Sequence, residues 1–222
     1  QERYRLDWVG KKEAILAANM PIKKTLRPSR DQSINFDSTQ NLFIEGDNLE
    51  VLKTLQESYL NKVDVIYIDP PYNTGRNIIY KNDYSISEKD YLLKSQDIDE
   101  EGNIYFTNKE SNGRFHSDWL SMIYSRLKLA KNLLKEDGVI YISINEEEYA
   151  NLKLLCDSVF GYSNYITTIT IKVRHENRIL KGDKPMHETT ELLLMYRKSD
   201  KFNISKRIVD NSDPKDYIYE IE

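Results

Sequence analysis

Cysteine, histidine and glycine are scarce in this chain of 222 residues, with one, three and eight copies respectively. The single cysteine, Cys156, cannot form an internal disulfide, and its helical spacing with neighbouring apolar residues favours a core position over a nucleophile. The histidines, His116, His175 and His187, have no metal-ligand spacing with one another or with Cys156. The sequence therefore predicts no metal site.

Long apolar runs are missing as well. No stretch of about 18 apolar residues is present to span a bilayer, and no charged-then-apolar leader begins the sequence. We therefore expect a cytoplasmic protein that does not contact a membrane. The composition, with 39% apolar and 31% charged residues, is typical of a globular protein that builds one substantial core.

The net charge of -4 gives no overall basic excess of the kind that nucleic-acid-binding proteins usually carry. One segment is nevertheless locally basic, since residues 172–184 contain five bases and two acids. The bases are Lys172, Arg174, Arg178, Lys181 and Lys184. A DNA-binding loop that faces phosphates and an ordinary solvated loop both remain open for this segment.

Pattern changes along the chain indicate three parts. Residues 1–40 contain a short helical stretch and the breakers Pro21 and Pro28, which indicates an N-terminal arm or cap. Residues 41–198 contain the periodic segments of a main domain. Residues 199–222 have no strong pattern, and we expect them to begin a linker or a further region.

The first half of the main domain has a strand, helix and strand pattern. Residues 41–44 are predicted to form a short strand, followed by a helix that Asp47 or Asn48 caps. Residues 63–68 form the next apolar strand, and this order favours parallel pairing with a right-handed crossover. The segment 80–117 is long, polar and aperiodic, and we expect it to form a mobile loop over the functional site of the domain.

The second half predicts a mixed sheet. An amphipathic helix begins near Trp119, and its end is predicted at 137–138, with the glycine there as the C′ residue. A buried strand at 139–144 follows, and residues 165–171 and 191–196 have the composition of an antiparallel pair with a long connection. The fold class is therefore α/β, with a mostly parallel sheet and an antiparallel strand pair.

A further helix is expected to begin after Asn145, which can cap it. Its first turn contains Glu146, Glu147 and Glu148. We interpret these glutamates as favourable charges at the positive end of the helix dipole rather than as catalytic groups.

The most informative segment is Asp69-Pro70-Pro71-Tyr72, which follows the strand at 63–68 directly. The carboxyl edge of the sheet is where open α/β folds hold their ligands. An amine on an aromatic base is a poor nucleophile until acceptors on its hydrogens localise the lone pair on nitrogen. The Asp69 carboxylate and the Pro70 carbonyl can supply two such acceptors, which the prolines hold in place. Tyr72 offers a flat face on which a base taken out of a duplex can stack.

A strand followed by a proline-rich turn would also explain this segment without any chemistry. The buried strand before it and the Asn-Thr-Gly turn after it give the motif a specific context. We therefore favour a site for transfer to an exocyclic amine. Direct transfer of a methyl group from a sulfonium donor needs only positioning and electrostatics.

On these residues the sequence resembles the β-class amino-group DNA methyltransferases, and specifically the modification (Mod) subunits of type III restriction-modification systems. The resemblance covers nearly the whole chain. It rests on NLFIEGDNLEVLK at 41–53, IYIDPPYNTG at 66–75, HSDWLSMIYSRLKLAKNLLKEDGVIYISI at 116–144 and HETTELLLMYRK at 187–198, and the N-terminal WVGKKEAILAANMPIKKTLRP fits as well.

The resemblance implies a Rossmann-like methyltransferase fold that depends on S-adenosylmethionine. Residues 41–198 are then the catalytic part of the methyltransferase domain, and 199–222 begin a linker or a target-recognition region. Asp69 to Tyr72 are implied to hold the flipped adenine amine, and Asp47 and Asp69 to lie near the cofactor. The implied partners are double-stranded DNA, a restriction (Res) subunit, and a second copy of the full-length protein. From the local charge of the basic segment, we name Lys172, Arg174, Arg178 and Lys181 as the candidate DNA-binding residues.

The sequence departs from the family pattern at one point. The family places a glycine-rich Phe-x-Gly-x-Gly cofactor loop late, after the target-recognition region, and no such segment occurs here. The resemblance therefore implies an incomplete fold, from the N-terminal part of a longer protein, with which Gln1 in place of Met agrees.

Three alternatives to adenine-N6 methylation stay open. Cytosine-N4 transfer needs the same two acceptors for its amine. A non-catalytic module for DNA docking or assembly, which has lost donor binding, would fit the missing glycine-rich loop. Methylation of a protein glutamine or an RNA amine uses the same geometry, but those enzymes more often carry Asn than Asp at the first motif position.

Overall fold

The computed structural model describes residues 6–74, 79–80, 106–107, 113–173 and 189–204. The helices are α1 (Lys11–Asn19), α2 (Asn48–Tyr59), α3 (Phe115–Leu133) and α4 (Glu146–Phe160), with 3-10 turns at Arg30–Gln32 and Tyr162–Asn164. The strands are β1 (Val63–Ile68), β2 (Ile79–Tyr80), β3 (Phe106–Thr107), β4 (Leu134–Ile144), β5 (Tyr165–Lys172) and β6 (Thr190–Arg197). Most of the loop expected at 80–117, and the tail from 205 onward, lie outside these residues.

The main sheet has the strand order β1-β4-β6-β5. β1 and β4 are parallel, with Ile66 opposite Ile140, whereas β6 is antiparallel to both β4 and β5. The α/β class, the mixed sheet and the antiparallel pair of β5 and β6 are therefore confirmed. Among the described strands of this sheet, one of the three pairings is parallel.

The core lies between this sheet and the helices α3 and α4. Trp119 and Leu127 of α3, Leu155 of α4 and Ile140 and Ile142 of β4 are all fully buried. Cys156 is buried in the same core, as predicted, and this burial raises the pKa of its thiol. No helix among the described residues is long and apolar enough to cross a membrane.

The helix α3 ends earlier than the sequence predicted. It stops at Leu133, and the predicted end at Asp137-Gly138, with Gly138 as C′ residue, is wrong. The last carbonyls of α3, those of Asn132 and Leu133, accept backbone hydrogen bonds from Asn61 and Lys62, so the helix needs no glycine cap.

Gly138 instead allows β1 and β4 to pack closely. It lies within β4, where an added Cβ would stand 2.9 Å from the carbonyl oxygen of Lys135 and 3.1 Å from that of Val63. The register between β1 and β4 also shifts at this point, between Val63 and Val65. A side chain at this position would push the two strands apart.

The strand predicted at 41–44 is also wrong. This segment pairs with no strand in the described part of the chain, and Leu42 and Phe43 are 68% and 94% exposed. A strand needs a neighbour to satisfy its backbone groups, and an apolar sequence alone does not supply one. The N-cap that follows is confirmed, since Asp47 accepts from the backbone N–H groups of Leu49 and Glu50.

Candidate active site

The segment Asp69 to Tyr72 leaves the carboxyl end of β1, as the sequence predicted. Because β1 and β4 are parallel, the end of β4 lies at the same edge of the sheet. Asn145 follows β4 there, and its side chain accepts from Glu147 N to cap α4, which confirms that cap. The site is therefore built where two strand ends and a helix N-terminus meet.

Asp69 is exposed, its carboxylate interacts with the Tyr72 hydroxyl, and it forms no ion pair with any residue that the structure describes. The carbonyl of Pro70 likewise accepts no hydrogen bond within the described ranges. The two groups that the sequence singled out as acceptors are thus accessible to a ligand on the chain as described. An exposed carboxylate at a strand end is not needed for core stability.

The backbone carbonyl of Pro71, the next residue, is held by a hydrogen bond from the core. The indole Nε1 of Trp119 donates to the carbonyl oxygen of Pro71 at 2.7 Å. Trp119 itself is fully buried. The sequence predicted Trp119 as a core residue of α3, and the pattern gave no sign of this hydrogen bond, because helical periodicity reports burial and not partners.

Tyr72 is half-buried and packs against the core. Its hydroxyl donates to Glu191 Oε2 of β6 at 3.1 Å. Burial, the nearby charge of Asp69 and the contact with Glu191 all raise the pKa of the phenol, so Tyr72 stays neutral and donates. The ring is therefore anchored at its tip, and the stacking role of Tyr72 stays a prediction.

Asn73, just after the motif, is almost fully buried and has a left-handed backbone with φ 59°. Its amide Nδ2 donates to Glu148 Oε1 at 2.5 Å and lies 3.4 Å from the carbonyl oxygen of Phe115. Glu148 is fully buried, and it also contacts His116 Nδ1 at 2.7 Å and Asn151 Nδ2 at 2.8 Å.

All three glutamates lie in the first turn of α4, as the interpretation requires, but the side chain of Glu148 turns inward, which the interpretation did not predict. A signal for this was present in the sequence. Glu148 lies four, seven and eight positions before Leu152, Leu155 and Cys156, which places it on the buried face of α4. Glu146 and Glu147 are exposed, as the interpretation requires.

Asp47, expected near the cofactor, has a structural role in this chain. Its Oδ1 accepts from Leu49 N at 3.0 Å and Glu50 N at 3.1 Å, which caps α2. Its Oδ2 lies 3.6 Å from Arg126 Nη2, and Arg126 Nε donates to Asn48 Oδ1. The described contacts do not join Asp47 to Asp69.

Of the four bases predicted to bind DNA, the structure describes Lys172, which is exposed at the end of β5. Arg174, Arg178 and Lys181 lie outside the described residues. Lys172 is opposite Thr190 of β6 in the antiparallel pair, and Val173 N donates to Thr189 O. The basic segment therefore joins the last two strands of the sheet.

A comparison with known protein families identifies the family of this chain. Residues 63–220 match the family model described as DNA methylase (N6_N4_Mtase). The chain belongs to the DNA methylase family. The matched region contains Asp69 to Tyr72, the buried glutamate and the basic segment.

Several curated DNA methylases are similar in sequence. The chain is 40% identical to the type III restriction-modification enzyme EcoPI Mod subunit of Escherichia phage P1, over 96% of this chain and 33% of that protein. It is 38% identical to the EcoP15I Mod subunit of Escherichia coli, over 100% of this chain and 34% of that protein. The chain thus spans about a third of the length of these relatives.

One solved structure is distantly similar. A putative DNA modification methylase from Thermus thermophilus, complexed with S-adenosyl-L-methionine, aligns with a TM-score of 0.43 and 14% identity. The alignment covers 73% of this chain and 55% of that one.

Proposed function

We propose that this chain forms the catalytic part of a site-specific DNA methyltransferase that transfers a methyl group from S-adenosylmethionine to the N6 amine of adenine. The observation that carries the proposal is the segment after β1, with the exposed Asp69 carboxylate beside the Pro70 carbonyl. Membership in the DNA methylase family supports the reaction class, and the names of the Mod relatives support a restriction-modification role.

The chemistry of the segment fits this reaction. The Asp69 carboxylate and the Pro70 carbonyl each accept one N6 hydrogen, which localises the nitrogen lone pair for attack. S-adenosylmethionine supplies an electrophilic methyl group on a cationic sulfur. In such a transfer the N6 lone pair would form the new N–C bond as the C–S bond breaks, the sulfur would leave as a neutral thioether, and one N6 proton would pass to water.

The residues of this chain can supply acidic contacts to part of a site for S-adenosylmethionine. The exposed charge of Asp69 is complementary to a sulfonium cation, and Asp47 is a second acid for the donor. Asp47 Oδ1 is engaged in the helix cap and Oδ2 faces Arg126 Nη2 at 3.6 Å, so a contact with the donor would share Oδ2 with that arginine. The sequence contains no Phe-x-Gly-x-Gly segment, so the residues named here account for only part of a donor site.

The division of the chain follows from this proposal. Residues 1–40 form an arm, of which α1 packs on α3 and Trp8 Nε1 donates to Ser121 Oγ at 2.9 Å. Residues 41–198 form the catalytic part, and 199–222 begin a linker or target-recognition region. The partners are double-stranded DNA with its adenine flipped out, a restriction subunit, and a second copy of the full-length protein.

A labelled-methyl assay on the full-length gene product tests the reaction. Purified protein, DNA and S-adenosylmethionine are incubated, and the nucleosides are then analysed by mass. We expect N6-methyladenine at a defined sequence. N4-methylcytosine would replace the adenine proposal by the alternative that uses the same two acceptors.

A non-catalytic docking module is the second candidate, favoured by the missing glycine-rich segment. Calorimetry with S-adenosylmethionine on this chain and on the full-length product separates the two. Binding to the full-length product supports the methyltransferase. An absence of binding to both proteins, together with retained DNA binding, supports the docking module.

A further inference from the structure

Glu148 is a fully buried carboxylate that the proposed methyl transfer does not use. A buried acid is costly unless hydrogen-bond donors surround it, so such a group is kept where it holds other parts of the structure together. Glu148 is the third residue of α4, whose first turn is already stabilised by the cap of Asn145. Its burial therefore needs a different explanation from the helix dipole.

The partners of Glu148 come from three separate elements. Asn73 Nδ2 approaches from the turn after β1 at 2.5 Å, and His116 Nδ1 from the start of α3 at 2.7 Å, both toward Oε1. Asn151 Nδ2 of α4 donates to Oε2 at 2.8 Å. One carboxylate thus ties the turn after the motif to the two helices of the core.

Asn73 is the partner that matters for the motif. It is one residue beyond Tyr72, it is 1% exposed, and its φ of 59° lies in the left-handed region. Asparagine adopts this conformation at a cost, and surrounding contacts must hold it there. The amide contact with Glu148 is such a contact.

The motif is therefore fixed residue by residue. Trp119 of α3 holds the carbonyl of Pro71, Glu191 of β6 holds the hydroxyl of Tyr72, and Glu148 of α4 holds Asn73. Asp69 and Pro70, which precede these anchored residues, carry the acceptors. A displacement of about 1 Å in a reacting group is enough to slow a reaction by about 10²-fold.

We propose that Glu148 is a positioning residue, which holds the Asp69 to Tyr72 segment in its reactive geometry through the hydrogen bond from Asn73. The inference rests on the proposed methyltransferase function. It assigns the effect to the acceptor oxygen of Glu148 and to its link with Asn73, and not to the charge at the helix N-terminus.

Two substitutions of Glu148 separate the acceptor from the charge. Glu148→Gln keeps an oxygen for Asn73 and removes the charge, whereas Glu148→Met keeps the length of the side chain and removes both oxygens. In the full-length gene product we expect kcat to fall at least tenfold in Glu148→Met and less than threefold in Glu148→Gln. The dissociation constants for S-adenosylmethionine and DNA should change less than twofold in both.

Glu146→Gln is the matched control, since it removes the same charge from the same turn at an exposed position. We expect its kcat to equal that of the wild type. If Glu148→Gln and Glu146→Gln lower kcat as much as Glu148→Met does, the charge matters and the positioning proposal is overturned.

Asn73→Gly tests the link, because glycine adopts the left-handed backbone without cost and lacks the amide. It should lower kcat as much as Glu148→Met, and the double variant should be no slower than either single one. Additive losses would overturn the inference, since independent residues add and coupled residues do not.

Hydrogen exchange of the peptide that contains Tyr72, Asn73 and Thr74 is the readout that does not depend on activity. Faster exchange is expected in Glu148→Met and Asn73→Gly, and wild-type exchange in Glu148→Gln and Glu146→Gln. If the full-length wild type transfers no methyl group, the proposed function fails, and this exchange pattern still decides the role of Glu148. Unchanged exchange in Glu148→Met would overturn it.

Discussion

Asp47 and Asp69 each follow an apolar segment of the sequence, and the structure uses them differently. Asp47 caps α2 with one carboxylate oxygen and lies 3.6 Å from Arg126 with the other. Asp69 is exposed and has no ion pair among the described residues. Asp47 is structural because two backbone N–H groups and an arginine engage it, whereas Asp69 stays exposed at the strand end with the Tyr72 hydroxyl beside it.

Replacing Asp69 should have the largest effect. Asp69→Ala removes one of the two acceptors, and the loss of a group that stabilises a transition state costs about 10²- to 10³-fold in rate. We expect single-turnover methyl transfer by the full-length protein to fall by that amount. The melting temperature should stay at the wild-type value, because Asp69 is exposed and has no ion pair within the described ranges.

Asp69→Asn is the matched variant for this experiment. It keeps one carbonyl acceptor in the same place and loses the charge. It should retain more activity than Asp69→Ala. Equal rates in wild type and Asp69→Ala would remove the contrast between the two aspartates.

The basic segment should have the next largest effect, provided that it binds DNA. Replacing Arg174, Arg178 and Lys181 with alanine removes three cations. If each contacts a phosphate, the slope of log affinity against log salt should fall by about 2.7, since each contact contributes about 0.9. An unchanged slope in a DNA titration would assign the segment to an ordinary solvated loop.

Replacing Asp47 should first of all lower the stability of the protein. Asp47→Ala removes the N-cap of α2 and should lower the free energy of unfolding by about 1 kcal/mol, measured by denaturant titration. Asp47→Ser restores a cap without a carboxylate. If Asp47 also binds the donor, Asp47→Ser should recover stability but not affinity for S-adenosylmethionine, whereas recovery of both would confine Asp47 to capping.

The smallest expected effect is on the pH dependence of stability. It is tested by comparing one buried tyrosine with one exposed tyrosine. Tyr196 is fully buried and donates to Asp157 Oδ1 at 2.8 Å, and burial, mainly, raises its pKa above the ordinary value of 10.0. The folded state thus keeps this proton at a pH where the unfolded chain loses it. This contribution to stability is complete below pH 10 and is lost as the pH rises further.

Denaturant unfolding at pH 8 and 10.5 checks this prediction. Tyr196→Phe should lower stability at pH 8 and show a weaker loss of stability between the two pH values than the wild type. Tyr162→Phe is the control, since it removes the same hydroxyl from a tyrosine that is 78% exposed. If the stability of all three proteins depended equally on pH, Tyr196 would not be the source of the predicted loss of stability at high pH.

The sequence predicted those features that depend on neighbouring residues. The caps by Asp47 and Asn145 and the strand before Asp69 are present, and β5 and β6, each predicted from its own local pattern, form the expected antiparallel pair. A capping side chain reaches only two or three residues along the chain, and strand periodicity is local, so both leave a clear pattern.

The features that the sequence missed depend on distant residues. The end of α3 is set by backbone donors of Asn61 and Lys62, about 70 residues earlier in the chain. Glu148 is buried because its partners Asn73 and His116 come from other elements. The spacing of Glu148 to the buried residues of α4 placed it on the inner face of that helix, but a helix pattern does not show which distant side chains it meets there.

A structure of the full-length protein with its DNA and a non-reactive analogue of S-adenosylmethionine tests the central claim most directly. The measurement is the distance from the exocyclic nitrogen of the flipped base to the Asp69 carboxylate and to the Pro70 carbonyl. We predict that both distances are hydrogen bonds of about 2.7 to 3.2 Å. A target amine that lies beyond hydrogen-bond reach of both oxygens would contradict the proposed mechanism.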